Sequence, residues 1–173
     1  MVYNTTFFNT PPQSWDVLES ASVPITLAAA SQQQLAVLQL YLGAGGRLTD
    51  DSGRLLPDAN ILAEVLSHFQ TLNRAGSLYI GTQNYTSASE SWQAYRENRA
   101  VVSLTDTTNY LRERNLVFNT RAAVIPTLGD DPTTLVRAFY LAIVTGSPQR
   151  QQAALNLQSW LTEPTFLAEW SLA

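Results

Sequence analysis

Val23-Pro24-Ile25-Thr26-Leu27-Ala28-Ala29-Ala30, followed by Ser31-Gln32-Gln33-Gln34-Leu35, is the stretch on which the fold turns. Val23–Ala30 is a continuous apolar run and reads as a buried strand. Ser31 is a capping residue type, and Leu35, Leu38 and Leu42 follow at helical spacing, which predicts a helix beginning just after it. A strand passing directly into a helix is the unit from which α/β proteins are built.

The same alternation continues on both sides. Upstream, Val2–Phe8 is β-branched and aromatic and reads as a strand, Pro11-Pro12 ends it, and Ser14 is placed to cap a short helix from Trp15 to about Ser20. Downstream, Gly43-Ala44-Gly45-Gly46 closes the first long helix. The next, Asp58–Ala75, carries Leu62, Val65, Leu66, Phe69 and Leu72 on one stripe, with Gly76 at its end. His68 flanks that stripe and is expected to be partly exposed. Ser87 or Ser89 opens a helix through Trp92 and Tyr95. Ala100–Leu104, Arg121–Thr127 and Phe139–Val144 read as strands, with a short helix over Thr107–Asn115. Ser147-Pro148 starts a helix running to about Leu161, since proline at the first helical position lacks only an N–H that would be unsatisfied. Pro164 stops it and starts a last one, with Phe166, Leu167 and Trp170 inward. Trp15, Trp92 and Trp160 fall on helical stripes and are expected in the core, while the stripe alone does not settle Trp170. These elements predict an α/β fold with Val23–Ala30, Ala100–Leu104, Arg121–Thr127 and Phe139–Val144 in one central sheet covered by helices. The chain opens inside a strand and ends inside a helix, which suggests a cut from something longer.

Composition narrows the function. The chain has 173 residues, 45% hydrophobic and 14% charged, enough apolar content to fill a core. Its net charge is −4, and all ten basic residues are arginines without a cluster, so the concentrated positive face of a nucleic-acid binder is missing. There is no cysteine, which excludes disulfides, thiolate metal sites and a cysteine nucleophile. No apolar run approaches the roughly 18 residues of a membrane span, and no signal-peptide pattern is present. His68 is the only histidine. General-base work would require a nucleophile and an orienting carboxylate around it, so a helix-surface role is favoured. Asp50-Asp51-Ser52-Gly53 and Asp130-Asp131 resemble pieces of calcium loops but lack the alternating oxygen ligands and distal Glu, and are read as solvated turns. Gly43–Gly46 follows a helix and lacks Gly-Lys-Ser/Thr, so it is no phosphate loop. No catalytic set, metal site or cofactor is expected.

The order of landmarks carries a resemblance. Val-Tyr-Asn-Thr-Thr-Phe-Phe (2–8) followed by Pro-Pro-Gln-Ser-Trp-Asp-Val-Leu (11–18) is similar to the "YN-x-x-x-F … P-x-T-W-(D/E)-E-L" segment of family 1 extracellular solute-binding proteins, the maltose-binding-protein-like group. Gly45-Gly46-Arg47-Leu48-Thr49-Asp50 resembles that family's "G-G-x-(L/F)-x-D". Tyr95-Arg96-Glu97-Asn98-Arg99-Ala100-Val101-Val102 resembles "F-x-x-G-x-A-A-M", with Asn98 in the glycine position, and asparagine is the next best residue where φ is positive. Ile125-Pro126-Thr127, Tyr140-Leu141-Ala142-Ile143 and the Ser147–Leu161 helix with Thr162-Glu163-Pro164 resemble the remaining landmarks. Arg137-Ala138 replaces the usual Gly-Gly, and Phe139 the usual Trp.

The resemblance implies that residues 1–173 form one lobe, the C-terminal one, of a periplasmic-binding-protein type 2 fold. The whole protein would bind a small solute, a carbohydrate, for an ABC importer. It would work outside the cytoplasm, in the periplasm or lipid-anchored on the cell surface. Its partners would be the missing first lobe and the importer's membrane subunits, with no nucleic acid. Ligands of α/β sheets sit beyond the carboxyl ends of strands. That rule selects Gln32, Gln33 and Gln34 with Ser31, and Thr105, Asp106, Thr108, Asn109 and Tyr110 around Thr107. The resemblance adds Arg137, Phe139 and Tyr140. Within this set Asp106 is the leading acceptor for sugar hydroxyls and Tyr110 the leading stacking ring. A non-catalytic α/β interaction domain without a small ligand is the alternative; it predicts no exposed concave polar–aromatic face.

Overall fold

Val2 and Tyr3 of β1 (Val2–Asn4) point to opposite sides of a sheet, and that alternation organises the first of two compact units, Met1–Leu135. The computed structural model describes residues 1–129, 133–136, 138 and 140–172, the last two by backbone alone. The sheet has the order β2-β3-β1-β4, with β2 (Ile25–Thr26), β3 (Val102–Ser103) and β4 (Thr120–Ala122). β2 runs parallel to β3, and β1 lies antiparallel between β3 and β4. The carboxyl ends of β2, β3 and β4 therefore share one end of the sheet.

Tyr3, Ile25 and Val102 join the larger core with Trp15 and Leu18 of α1 (Trp15–Ser20), Leu40 and Tyr41 of α2 (Leu35–Gly43), and Val65 and Leu72 of α3 (Ala59–Arg74). Trp15 donates its indole N–H to the Pro126 carbonyl at 2.7 Å, which satisfies the one polar atom that this buried ring brings inside. On the other face Val2 packs with Trp92 and Tyr95 of α4 (Ala88–Arg96), beside Tyr110 of α5 (Thr107–Glu113) and Val117. The strand residues next to the apolar ones are small and polar there: Ser103 bonds Ser91 of α4, and Thr26 bonds Thr82.

Local chemistry explains the helix ends. Asp58 accepts from the Asn60 and Ile61 amides at the start of α3, and Gly76 closes it at φ 73°. Ser87 and Glu90 form a full capping box on α4. Asn98 takes φ 58°, as its place in a glycine position requires, and turns the chain from α4 toward β3.

Several expectations are corrected. Leu66 is 49% exposed, although Val65 and Leu72 are buried and Leu62 and Phe69 pack on the core. The buried stripe of α3 runs through Val65 and Leu72 toward the Trp15 ring, which meets Phe69 at 5.5 Å and His68 at 6.3 Å. Leu66 lies about 100° around the helix from Val65, on the outer flank. Ser31 does not cap α2: the helix starts at Leu35, and Gln34 stands before it at φ 45° with its side-chain amide donating to the Ala29 and Ser31 carbonyls. Tyr140–Val144 forms no strand, with Tyr140 and Val144 90% and 96% exposed; Phe139 lies outside the described residues. A strand needs a neighbour for its amides and carbonyls, and none bonds this segment among the described residues. Trp160, expected in the core, is 57% exposed.

Trp160 belongs to the second unit, Val136–Ala173. Here α6 (Pro148–Leu161) begins with Pro148 in its first turn, as read from the sequence, and α7 (Pro164–Leu172) follows. Trp160 meets Phe166 at 4.5 Å between ring centroids. Leu155 and Leu157 are exposed, and so are Leu167 and Trp170, which were expected inward, because two short helices offer each other too little surface to bury all their apolar side chains.

Candidate functional site

Three segments leave the carboxyl end of the β2–β3 pair and are stitched to one another. Tyr79 N donates to Ile25 O and Leu104 N to Thr26 O, at 2.9 and 2.8 Å, so the chain after α3 and the chain after β3 flank β2. Ala30 N donates to Tyr85 O at 2.9 Å, and the Thr105 hydroxyl to Ala88 O at 3.1 Å. Residues 27–34, 79–90 and 105–110 thus make one continuous rim.

Gln32, Gln33 and Gln34 lie on this rim and are exposed, with Gln34 folded back on its own loop. Asp106 is exposed and caps α5, its carboxylate accepting from the Asn109 amide at 2.9 Å. Thr108 is exposed and Thr105 half-buried. Asn109 is only 8% exposed, and both ends of its side-chain amide are bonded, to Ser89 and to Thr105. Tyr110 is half-buried and sets its ring edge-on to Trp92 at 6.5 Å. Tyr140 lies in the Val136–Ala173 unit, nearly fully exposed. Arg137 and Phe139 lie outside the described residues, as do Asp130 and Asp131.

The sequence reading missed the aromatic part of the rim. Tyr79 and Tyr85 stack at 6.4 Å with planes 24° apart. The Arg99 guanidinium lies 5.8 Å from the Tyr79 ring centre, bonds the Tyr79 hydroxyl at 3.3 Å and pairs with Glu97. Gly81 sits between the tyrosines where a Cβ would meet Tyr79 at 2.6 Å and the Tyr85 hydroxyl at 2.8 Å, so only glycine lets both rings close in. A cleft of about 450 Å³ opens beside them, lined by Pro24, Leu78, Tyr79, Ile80, Thr82 and Gln83 among others. The available signal was Tyr-Ile-Gly-Thr-Gln-Asn-Tyr (79–85), two aromatics spaced around a glycine in a polar stretch.

Charges on the rim are mostly committed. Glu90 accepts from the Thr86 and Ser87 amides at 2.7 and 2.9 Å, and these bonds, the Thr86 amide foremost, hold its carboxyl below the usual carboxylate value. Desolvation raises the Tyr85 phenol above its ordinary value, the nearby Arg99 opposing it. Asp106 keeps a carboxylate oxygen free of the helix cap. Such a surface of amides, hydroxyls, one open carboxylate and tyrosine rings suits hydrogen bonding and ring stacking.

Elsewhere, His68 pairs with Glu19 at 2.7 Å on the outer side of α1 and α3, away from this rim. Asp50 accepts from Ser52 and Arg54 within its own turn, bonds that hold its pKa at about 2. Among the described residues no group of three or more His, Cys, Asp and Glu side chains is arranged to hold a metal ion.

Solved structures share this fold. The chain superimposes on maltose-bound MalE3 of T. maritima with a TM-score of 0.69 at 15% identity, covering 95% of this chain and 48% of that one. A ribitol-bound ABC transporter solute-binding protein of Agrobacterium radiobacter K84 gives 0.67 at 14% identity, over 99% and 48%. The cyclic alpha-maltosyl-1,6-maltose binding protein of Arthrobacter globiformis gives 0.68 at 17%, over 98% and 47%. The chain therefore spans about half the length of the solved structures it matches. No curated protein sequence matches it. Residues 1–173, the whole chain, match the family described as bacterial extracellular solute-binding protein, a family of binding proteins. By this match over its whole length, the chain belongs to the bacterial extracellular solute-binding protein family.

Proposed function

We propose that this chain is one lobe of a two-lobed solute receptor for an ABC importer, and that the solute is a carbohydrate. The observation that carries the reading is the rim at the carboxyl end of β2 and β3, where open polar groups and tyrosine rings stand together in a member of a solute-binding family. Solved proteins of the same fold hold maltose, ribitol and alpha-D-tagatose. The contacts from this lobe are Gln32, Gln33, Gln34, Thr105, Asp106, Thr108 and Tyr110, with Asn109 beneath them and Tyr79 and Tyr85 as a further aromatic wall. The family resemblance makes Arg137, Phe139 and Tyr140 further candidates for solute contact.

A second lobe supplies the opposite wall. The matched structures are about twice as long, and exposed Leu155, Leu157 and Trp160 give the Val136–Ala173 unit apolar surface for it to cover. Solute draws the lobes together by hinge motion, and the importer's membrane subunits read the closed form. The process is recognition without catalysis. It takes place outside the cytoplasm, on a receptor held there by a lipid anchor or free in the periplasm.

Titration calorimetry on the two-lobed protein with maltose, ribitol and tagatose tests this. At least one should bind, and Asp106→Ala and Tyr110→Ala should each weaken it by about 1–3 kcal/mol, the range for losing a buried polar partner. If both variants bind as tightly as the parent, the 105–110 segment is a helix cap alone and the assignment fails.

A further inference from the structure

We infer that α5 is latched to α4 at both ends by polar side chains, and that Asn109 and Glu113 are positioning residues for the rim segment that α5 carries. The role in binding rests on the solute-receptor reading above; the latch itself does not.

α5 has seven residues, Thr107–Glu113, far fewer than the roughly 12–15 at which an isolated helix holds together in water. Its place must come from its neighbours. Asn109 and Glu113 are four apart and so share one face of the helix. At the first end, the Asn109 carbonyl oxygen accepts from the Ser89 hydroxyl at 3.2 Å, and its NH₂ donates to the Thr105 hydroxyl oxygen at 3.1 Å. The Thr105 hydroxyl in turn donates to Ala88 O at 3.1 Å, so the first turn of α4 and the start of the rim segment are tied through one buried amide. At the other end, Glu113 Oε2 accepts from Trp92 Nε1 and pairs with an Arg96 guanidinium nitrogen, each at 2.6 Å. Trp92 is itself fixed, stacked on Tyr95 at 5.5 Å and 15°.

Between these ends Tyr110 of α5 sets its ring edge-on to Trp92 of α4. An open groove of about 340 Å³ runs along the outside of the pair, its lining including Ser89, Trp92, Gln93, Arg96, Asn109 and Glu113. The Trp92–Tyr110 edge contact joins the helices midway, and the polar bonds at the two ends fix how α5 lies on α4. Side chains that a solute must order on arrival cost affinity, and side chains held in advance do not. The latch gives Asp106 and Thr108 a fixed base.

Hydrogen exchange on the 173-residue chain decides the latch. In Asn109→Ala and in Glu113→Ala, the amides of α5 should exchange about 10- to 100-fold faster while those of α3 keep their parent rates. Glu113→Gln keeps an acceptor for the Trp92 indole and should recover part of the protection. Unchanged α5 exchange overturns the latch, as does acceleration of α3 and α5 together, which would mean general unfolding. The same variants in the two-lobed protein, titrated with maltose, ribitol and tagatose, decide the positioning role. Glu113→Ala should bind the responding sugar about tenfold more weakly, with partial rescue in Glu113→Gln. Loosened α5 with parental affinity overturns the positioning role. If the parent binds none of the three sugars while α5 loosens as expected, the latch stands and the solute reading built on those sugars falls.

Discussion

Ala100–Leu104 and Phe139–Val144 look alike in sequence, and the folded chain treats their described residues in opposite ways. In the first, β3 forms ladders with β2 on one side and β1 on the other, and Val102 and Leu104 are buried. In the second, Tyr140–Val144 has no ladder and its side chains lie largely in solvent. Apolar and β-branched residues make a segment suited to a strand, but a neighbour with unpaired amides and carbonyls makes it one. The helices repeat the contrast. α3 buries Val65 and Leu72 against a sheet and α1, whereas no described residue of α6 is buried.

The sharpest test sets Leu72 against Leu157. Leu72→Ala empties a site with no exposure and should cost about 2–5 kcal/mol, whereas Leu157→Ala on α6 should stay within about 0.5 kcal/mol. Urea unfolding followed by near-ultraviolet circular dichroism gives both values. A large loss at Leu157 would mean that the second unit already has cover for its apolar face, and the contrast would break. A smaller effect compares helix starts. Ser87 anchors a capping box, whereas the Ser147 hydroxyl donates to the Gln149 side chain and caps no backbone amide, so Ser87→Ala should cost about 1 kcal/mol and Ser147→Ala a few tenths at most. Equal losses would show that α6 gains a cap in solution.

The smallest effect is one of pH. The folded state holds the Glu90 carboxyl below its ordinary value of 4.5 because the ionised form accepts from Thr86 and Ser87. Its contribution is therefore fully present above that ordinary value and is lost as pH falls through the lower folded one. The Tm difference between the parent and Glu90→Gln should shrink on going from about pH 6 to about pH 3. A constant difference would mean that the carboxylate adds nothing beyond the acceptor geometry glutamine also offers.

Much of this was legible in the residues. Ser87 with Glu90, Asp58, Gly76 and Asn98 act locally, so the helix ends they form could be named before any tertiary contact was known. The rim segments 32–34 and 105–110 follow from strand polarity alone. Leu66 fits the apolar stripe as read from spacing, and only the side on which Ile61, Leu62 and Phe69 meet the core shows that it falls outside. Tyr79 and Tyr85 were missed for a similar reason. Their stack depends on Gly81 admitting two rings and on Arg99 reaching back from beyond α4, contacts between residues up to 20 positions apart.

The sequence by itself determined the alternation of strands and helices, most of the capping chemistry, and the absence of cysteine and of a basic face. These depend on composition and on neighbours a few positions away. Tertiary structure alone decided that Val2–Asn4 would run antiparallel between β3 and β4, that Asn109 would turn inward to α4, and that Tyr140–Val144 would go without a ladder. Each depends on which distant group is present to accept a hydrogen bond or cover an apolar face, and that information does not reside in the segment itself.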